Sequence, residues 1–226
     1  MKPKPVRGVD AEKVFYIPCD IPSGFLASSL KKHAHAEIEF EFGLLYEIGE
    51  SIVFFQALGA PLAALALERL IASGVKEITL LGFCGSLSGR FKIADVASIP
   101  RAFSEEGTSR HYFSRKRAFS ASPALKKSLE NALRFSGLDF KTGTIVSTDA
   151  PYRETKSWLR RNQNRGAELV DMETSAVFSL AEFHGIKAAS LQIVSDELSS
   201  GTWKPAFRSP VVEQKVKNYF LPLLIA

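Results

Sequence analysis

Two buried-strand runs, Ser51 to Leu58 (SIVFFQAL) and Lys76 to Phe83 (KEITLLGF), enclose the helical stretch PLAALALERLIASG. This strand–helix–strand unit constrains the fold more than any other feature. Pro61 suits the first helical turn, the interior is Ala and Leu, and Gly74 can take the left-handed cap. The alternation extends along the chain. Val14 to Asp20 (VFYIPCD) reads as a buried strand stopped by proline. A loop and helix follow, with Ser23 as a candidate N-cap. Ile38 to Gly43 alternates apolar and acidic residues, the period of a half-exposed strand.

Gly82 to Ser86 (GFCGS) reads as a glycine-rich turn after the strand, and Ala94 to Pro100 as a short strand. A helix runs from Ser122-Pro123 to Gly137, a strand from Phe140 to Thr148, and a helix with a basic face from Tyr152 to Arg165. Glu168 to Met172 is a strand, Glu173 to His184 a helix capped by Gly185, and Lys187 to Val194 a strand. Val211 to Phe220 reads as the last helix. Buried strands alternating with helices imply an α/β fold, a three-layer α/β/α sandwich with a mixed central sheet.

The 226 residues contain no linker, so residues 1–226 are expected to form a single domain, with 1–13 as a flexible N-terminal arm. The net charge of +5 suits a solvated basic surface, and no interleaving of basic and aromatic residues marks a nucleic-acid platform. The basic N-terminus has no apolar core and the longest apolar region is broken by Gln56, Gly59 and Pro61, so neither a signal peptide nor a membrane span is expected. Cys19 and Cys84 have no metal or redox spacing, which fits a reducing, cytoplasmic setting. His33 and His35 lie two apart in an expected helix and do not share a face, so no metal is expected.

In such a sheet, ligands bind beyond the carboxyl ends of the strands. Glycines and carboxylates gather there, at Gly82 to Ser86, Ser147 to Tyr152, Asp171 to Glu173 and Ser195 to Glu197. Glu173 and Asp196 form the most informative pair. One carboxylate can accept two hydroxyl donors, as from a cis-diol, while another can deliver a proton if its surroundings raise its pKa. Each also has a structural alternative: Glu173 can cap the helix that follows it, and Asp196 can cap a loop with Ser195.

The residues VDMETSAV (Val170 to Val177), followed by IVSDE, resemble the signature of the nucleoside phosphorylase superfamily, which includes purine and uridine phosphorylases and nucleosidases. LGAPLAALALERLIASGVKEITLLGFCGSL, IADVASIPRAFSEEGTSRHY and STDAPYRET agree with it in order, from about Val14 to Arg208. The resemblance implies cleavage of the N-glycosidic bond of a nucleoside, a purine nucleoside first. By position, Glu173 matches the glutamate on the ribose hydroxyls and Met172 the methionine beneath the sugar. Asp196 matches the acid that protonates the leaving purine, with Ser195 beside it. Tyr152 and Pro151 fall where the family lines the base pocket, and Arg208 loosely matches a basic residue that assists the aspartate. The resemblance also implies a homo-oligomer, a dimer or hexamer.

The chain departs from the family around the attacking group. The loop Pro18-Cys19-Asp20-Ile21-Pro22-Ser23 lacks the family's arginine, and the positions of a second arginine and of a serine or threonine read Leu80 and Phe83. The segment from Ile38 to Tyr46 contains no arginine either. The phosphate or water side is therefore assigned to Gly82, Phe83, Asp20 and Ser23, with Arg101 or Arg110 as further candidates. Three readings follow. The first is a divergent nucleoside phosphorylase with inorganic phosphate as co-substrate and no cofactor. The second is a nucleosidase using water, and the third a catalytically silent nucleoside-binding protein.

Overall fold

Apolar side chains alternate between the two faces of long strands, and that alternation builds the layers. The computed structural model describes residues 2–20 and 24–225. In chain order the elements are β1 (Lys13–Ile17), α1 (Phe25–His33), β2 (Ala36–Ile38), β3 (Leu44–Ile48), β4 (Ser51–Phe55), α2 (Ala60–Ala72) and β5 (Glu77–Ser86). They continue with β6 (Val96–Ser98), β7 (Arg101–Ser104), α3 (Ser109–Tyr112), β8 (Ala118–Ser120), α4 (Pro123–Phe135), β9 (Lys141–Thr142) and β10 (Ile145–Ser147). The last are α5 (Lys156–Asn164), β11 (Leu169–Asp171), α6 (Thr174–His184), β12 (Lys187–Glu197), β13 (Lys204–Pro205), α7 (Pro210–Lys215) and α8 (Leu221–Ile225).

All the strands belong to one mixed sheet, with a main path β2-β3-β4-β1-β5-β11-β10-β7-β8 and β12 joined to β5, β6 and β13. Along β4, Ile52 and Phe54 enter the core beneath α2 and α6, while Val53 and Phe55 enter the core beneath α1, α4 and α7. The result is the expected α/β/α sandwich. No described helix is long and apolar enough to cross a membrane.

A gap in the sheet positions the site. β1 runs parallel to β5 and its pairing ends at Tyr16 with Leu80. β11 meets β5 antiparallel at Val170 with Gly85. Residues 81–84 of β5 thus lie between two strands whose carboxyl ends face each other. On the other edge of β5, β12 pairs in parallel along its whole length.

Several boundaries differ from the sequence expectation. The segment Gly82 to Ser86 is not a turn; it continues β5 to Ser86, paired with β12 and β11. Its glycines answer to close packing: a Cβ on Gly82 would lie 2.6 Å from the Gln192 amide, and one on Gly85 would lie 2.7 Å from Asp196 Oδ2. The alternating segment after Ile38 leaves the sheet because Phe40 turns inward, edge-on to Phe54 at 5.6 Å, and the next strand is β3. The strand expected from Phe140 to Thr148 divides into β9 and β10 at Gly143, which passes over the Phe91 ring.

The helix expected from Tyr152 splits into a 3-10 turn, Pro151–Arg153, and α5, whose first turn is capped by the Thr155 hydroxyl accepting from Trp158 N at 3.2 Å. The last helix extends through a π turn, Val216–Phe220, to Ile225. The N-terminal arm, expected to be flexible, packs against the end of α2. Val6 and Val9 are buried, Val6 N donates to Ser73 Oγ at 2.8 Å, and Arg69 Nε donates to Lys4 O at 2.9 Å.

Gly143 gives a direct test of this packing. A Cβ there would lie 2.6 Å from Phe91 Cζ and 3.3 Å from Leu169 Cδ1, both on buried side chains. Gly143→Ala is expected to lower unfolding free energy by about 1–3 kcal/mol, through overpacking. Urea denaturation measures it, and an unchanged midpoint would contradict the close approach.

Candidate active site

The chain after β11 turns into the gap as Met172 and Glu173 and then starts α6. The N-terminus of that helix needs partners for its free N–H groups. Asp171 supplies them. Its Oδ2 accepts from Thr174 N at 2.9 Å and from the Thr174 hydroxyl, and its Oδ1 accepts from Ser147 Oγ at 2.6 Å. Burial pushes the Asp171 carboxyl up, against those hydrogen bonds.

Glu173 is therefore relieved of capping, and its side chain makes no cap bond to α6. Its Oε1 instead accepts from Gly59 N at 2.7 Å, across the gap from the loop after β4. Gly59 has φ +89 and precedes α2, so its N–H is free of the helix ladder. Glu173 is 4% exposed. Burial, and next the Asp171 carboxylate, hold its pKa above the ordinary glutamate range. A carboxylate has roughly four acceptor sites, so one bond to Gly59 leaves capacity for a diol.

On the other edge of β5, the register of β12 shifts between Val194 and Asp196, which leaves Ser195 as the extra residue of a bulge. The bulge sets Asp196 opposite Gly85, where the missing Cβ leaves room for the carboxylate. Beyond β12 the chain folds back as β13, pairing Pro205 with Asp196. This return brings Trp203 Nε1 to donate to Asp196 Oδ2 at 2.9 Å, and Ser195 Oγ lies 3.0 Å from Asp196 Oδ1. Burial raises the Asp196 pKa, and these two bonds oppose the rise. An acid held this way can carry a proton nearer neutrality than a free aspartate.

Both carboxyls open onto one cavity of about 500 Å³, within the usual range for a small-molecule site. Met172, Ser195, Pro151 and Tyr152 line it too. Tyr152 is 95% exposed, so it stands at the rim. Pro18, Cys19 and Leu58 border the cavity from the ends of β1 and β4, and Trp203, Phe207 and Glu154 border it near Asp196. Burial, and next the charge of Glu173, push the Cys19 thiol up to about 12, so it is a neutral wall group.

The candidates for the attacking side are not brought together. Phe83 lines the cavity, but as an apolar ring that packs on Phe220 at 5.8 Å. Gly82 does not line it, being covered by Gln192. Asp20 is spent on α1, its Oδ1 accepting from Leu26 N at 3.3 Å and its Oδ2 from Ala27 N at 3.2 Å. Ser23, expected both here and as the cap of α1, lies outside the described residues; Gly24 directly precedes that helix. Arg208 is exposed and borders a separate depression, and the Asp196 partner it was expected to be is Trp203. Arg101 stacks over Phe103, and Arg110 does not line the cavity. Among the described residues, no Arg, Lys or His lines it, and no group of three or more His, Cys, Asp or Glu is arranged to hold a metal ion.

Sequence reasoning missed three residues. Trp203 is a lone tryptophan in a polar loop, and only the fold-back of β13 connects it to Asp196. Gly59 enters the sequence reading only as a break in the apolar run, with no sign that its N–H meets Glu173. Glu154 lies among basic residues that suggested a solvated face.

Known proteins share this architecture. The structure of purine nucleoside phosphorylase from Toxoplasma gondii in complex with immucillin-H superposes with a TM-score of 0.82 at 19% identity, covering 100% of this chain and 95% of that one. AMP nucleosidase from Bacteroides thetaiotaomicron gives a TM-score of 0.75 at 19% identity, covering 93% and 86%. In sequence, a guanosine phosphorylase of Halorubrum lacusprofundi is 29% identical over 161 residues, 71% of this chain and 67% of the relative. A DeoD-type purine nucleoside phosphorylase of Bacillus cytotoxicus is 30% identical over 149 residues, 64% of this chain and 62% of its own length. Residues 25–219 match the family model of the phosphorylase superfamily, and the chain belongs to that superfamily.

Proposed function

We propose that this chain cleaves the N-glycosidic bond of a nucleoside, a purine nucleoside first, releasing the base and a ribose product. The observation that carries the reading is that Glu173, with helix capping taken over by Asp171, opens onto the same cavity as Asp196, whose carboxyl burial pushes above the ordinary aspartate range. The names of the relatives support the same chemistry.

In this reading Glu173 accepts the 2′ and 3′ hydroxyls of the ribose, with Met172 beneath the sugar. Asp196 donates a proton to N7 of the base, so the purine does not leave as an anion. Ser195 and Trp203 orient that acid, and Pro151 and Tyr152 flank the base. The sugar passes through an oxocarbenium-like transition state, which needs charge stabilisation and an activated leaving group more than a strong nucleophile.

The relatives' names support inorganic phosphate as the acceptor. The charge of the cavity supports water. Phosphate recognition favours bidentate arginine partners, and this cavity is lined by Glu173, Asp196, Asp171 and Glu154 without a described cation. The reading includes a homo-oligomer, dimer or hexamer, in which a neighbour covers the exposed Tyr152 and Leu58 at the rim. It also places the protein in the cytoplasm, a setting that suits the two free thiols.

Glu173→Ala and Asp196→Ala are each expected to lower base release from a purine nucleoside by about 10²–10⁴-fold while the circular dichroism spectrum stays native. Near-normal turnover in both would remove the assignment. Base release with and without added phosphate is expected to differ little; a strict phosphate requirement would refute the water reading. The acid form of Asp196 is the active one, so kcat/KM should fall as pH rises through its elevated pKa. Asp196→Asn should lack that alkaline limb, and an unchanged limb would assign it to another group.

A further inference from the structure

The loop between β4 and α2 is held from β1 by a tyrosine. The chain leaves β4 through Gln56, whose φ of +69 lies in the left-handed region that residues with side chains seldom adopt. A turn of that kind persists only when its surroundings fix it. Gln56 N donates to Ile17 O at 3.0 Å, the Tyr16 hydroxyl donates to Ala57 O, and Gly59 N donates to Glu173 Oε1 at 2.7 Å. Tyr16 is fully buried, and its ring stacks on Phe54 at 5.2 Å, 16° from parallel. Phe54 is its partner in the β1–β4 register, yet its hydroxyl reaches the buried Ala57, three residues further along.

The packing needs only the ring, which a phenylalanine would supply. The buried hydroxyl needs a partner of its own. That partner is the Ala57 carbonyl, in the peptide unit directly before the one that carries Gly59 N–H. Burial, and next the Glu173 charge, push the Tyr16 pKa well above the ordinary tyrosine value, so the hydroxyl remains a donor. A chain of contacts thus runs from β1 through Ala57 and Gly59 to Glu173. We propose that Tyr16 is a positioning residue whose hydroxyl fixes the loop from Ala57 to Gly59, so that Gly59 N–H holds Glu173 in the orientation that receives the ribose hydroxyls. The proposal rests on the nucleoside reading of the cavity.

Tyr16→Phe removes the hydroxyl and keeps the ring. Two measurements test its effect. The first is amide hydrogen exchange in the free protein, where Gly59 should exchange about tenfold faster relative to the amides of β5. The second is kcat/KM for inosine and for 2′,3′-dideoxyinosine, which lacks both hydroxyls that Glu173 would accept. Tyr16→Phe should lower kcat/KM for inosine by about tenfold and for the dideoxynucleoside by no more than about twofold. In a Glu173→Ala background the same substitution should have no further effect on inosine, because the group it positions is gone. A hydroxyl that only satisfied a buried carbonyl would lower both substrates alike and act equally in both backgrounds. Equal losses, or a Gly59 exchange rate that rises only with those of β5, overturn the proposal. If Gly59 exchange rises selectively but the unaltered protein cleaves neither nucleoside, the positioning of Glu173 stands and the nucleoside reading falls. If inosine is cleaved and neither measurement responds to Tyr16→Phe, the reverse holds.

Discussion

The site depends on one buried carboxylate. Asp171 joins the end of β11, the hydroxyl of Ser147 on β10 and the first turn of α6. Removing a buried acceptor of this kind would leave several donors unsatisfied at once, a cost of about 1–3 kcal/mol for each. Its more specific effect is on Glu173. Two residues away, Glu173 would otherwise be the natural acid for the same helix terminus. With Asp171 in that place, Glu173 can cross the gap to Gly59, which ties the β11 side of the cavity to the loop after β4.

The network extends behind the cavity. The Ser147 hydroxyl also accepts from Ser175 N at 2.9 Å, and Ser175 Oγ donates to Glu106, a fully buried carboxyl that also accepts from Ser104 and Ser109. Gln192 of β12 donates to the Thr174 hydroxyl at 3.1 Å and reaches toward Gly82. Four strands (β7, β10, β11 and β12) and two helices (α3 and α6) are thus joined by polar side chains. The bonds around Asp171, Ser147 and Glu106 hold one arrangement of the groups they carry, while Gln192 Oε1 is buried without a partner among the described residues. On the other edge of β5, the bulge at Ser195 and the glycine at position 85 do comparable work for Asp196.

Much of the architecture was legible because β4, α2 and β5 carry unambiguous patterns. The unbroken apolar run of β4, buried on both faces, and the Pro-to-Gly frame of α2 pointed to three layers without any tertiary information. Boundaries failed where tertiary contacts overrode local preference. Gly82 and Gly85 look like turn residues, but they are glycines because Gln192 and Asp196 occupy the space of a Cβ. Gly143 divides a strand for the same reason, against Phe91. In the site, Glu173, Met172, Ser195 and Asp196 could be found by their place at strand ends. Whether Glu173 capped α6 could not, since Asp171 and Glu173 are both acids at the same turn and only geometry separates their duties. Trp203 and Glu154 were hidden because a fold-back and a loop bring them to Asp196.

The central claim is that one cavity holds a ribose at Glu173 and a base at Asp196. A crystal structure with a purine nucleoside analogue, its glycosidic nitrogen replaced by carbon, tests that claim most directly. The account predicts both ribose hydroxyls within hydrogen-bond distance of the Glu173 carboxylate and the N7 position of the base beside Asp196. An analogue bound in the opposite sense, or outside the cavity, would contradict it.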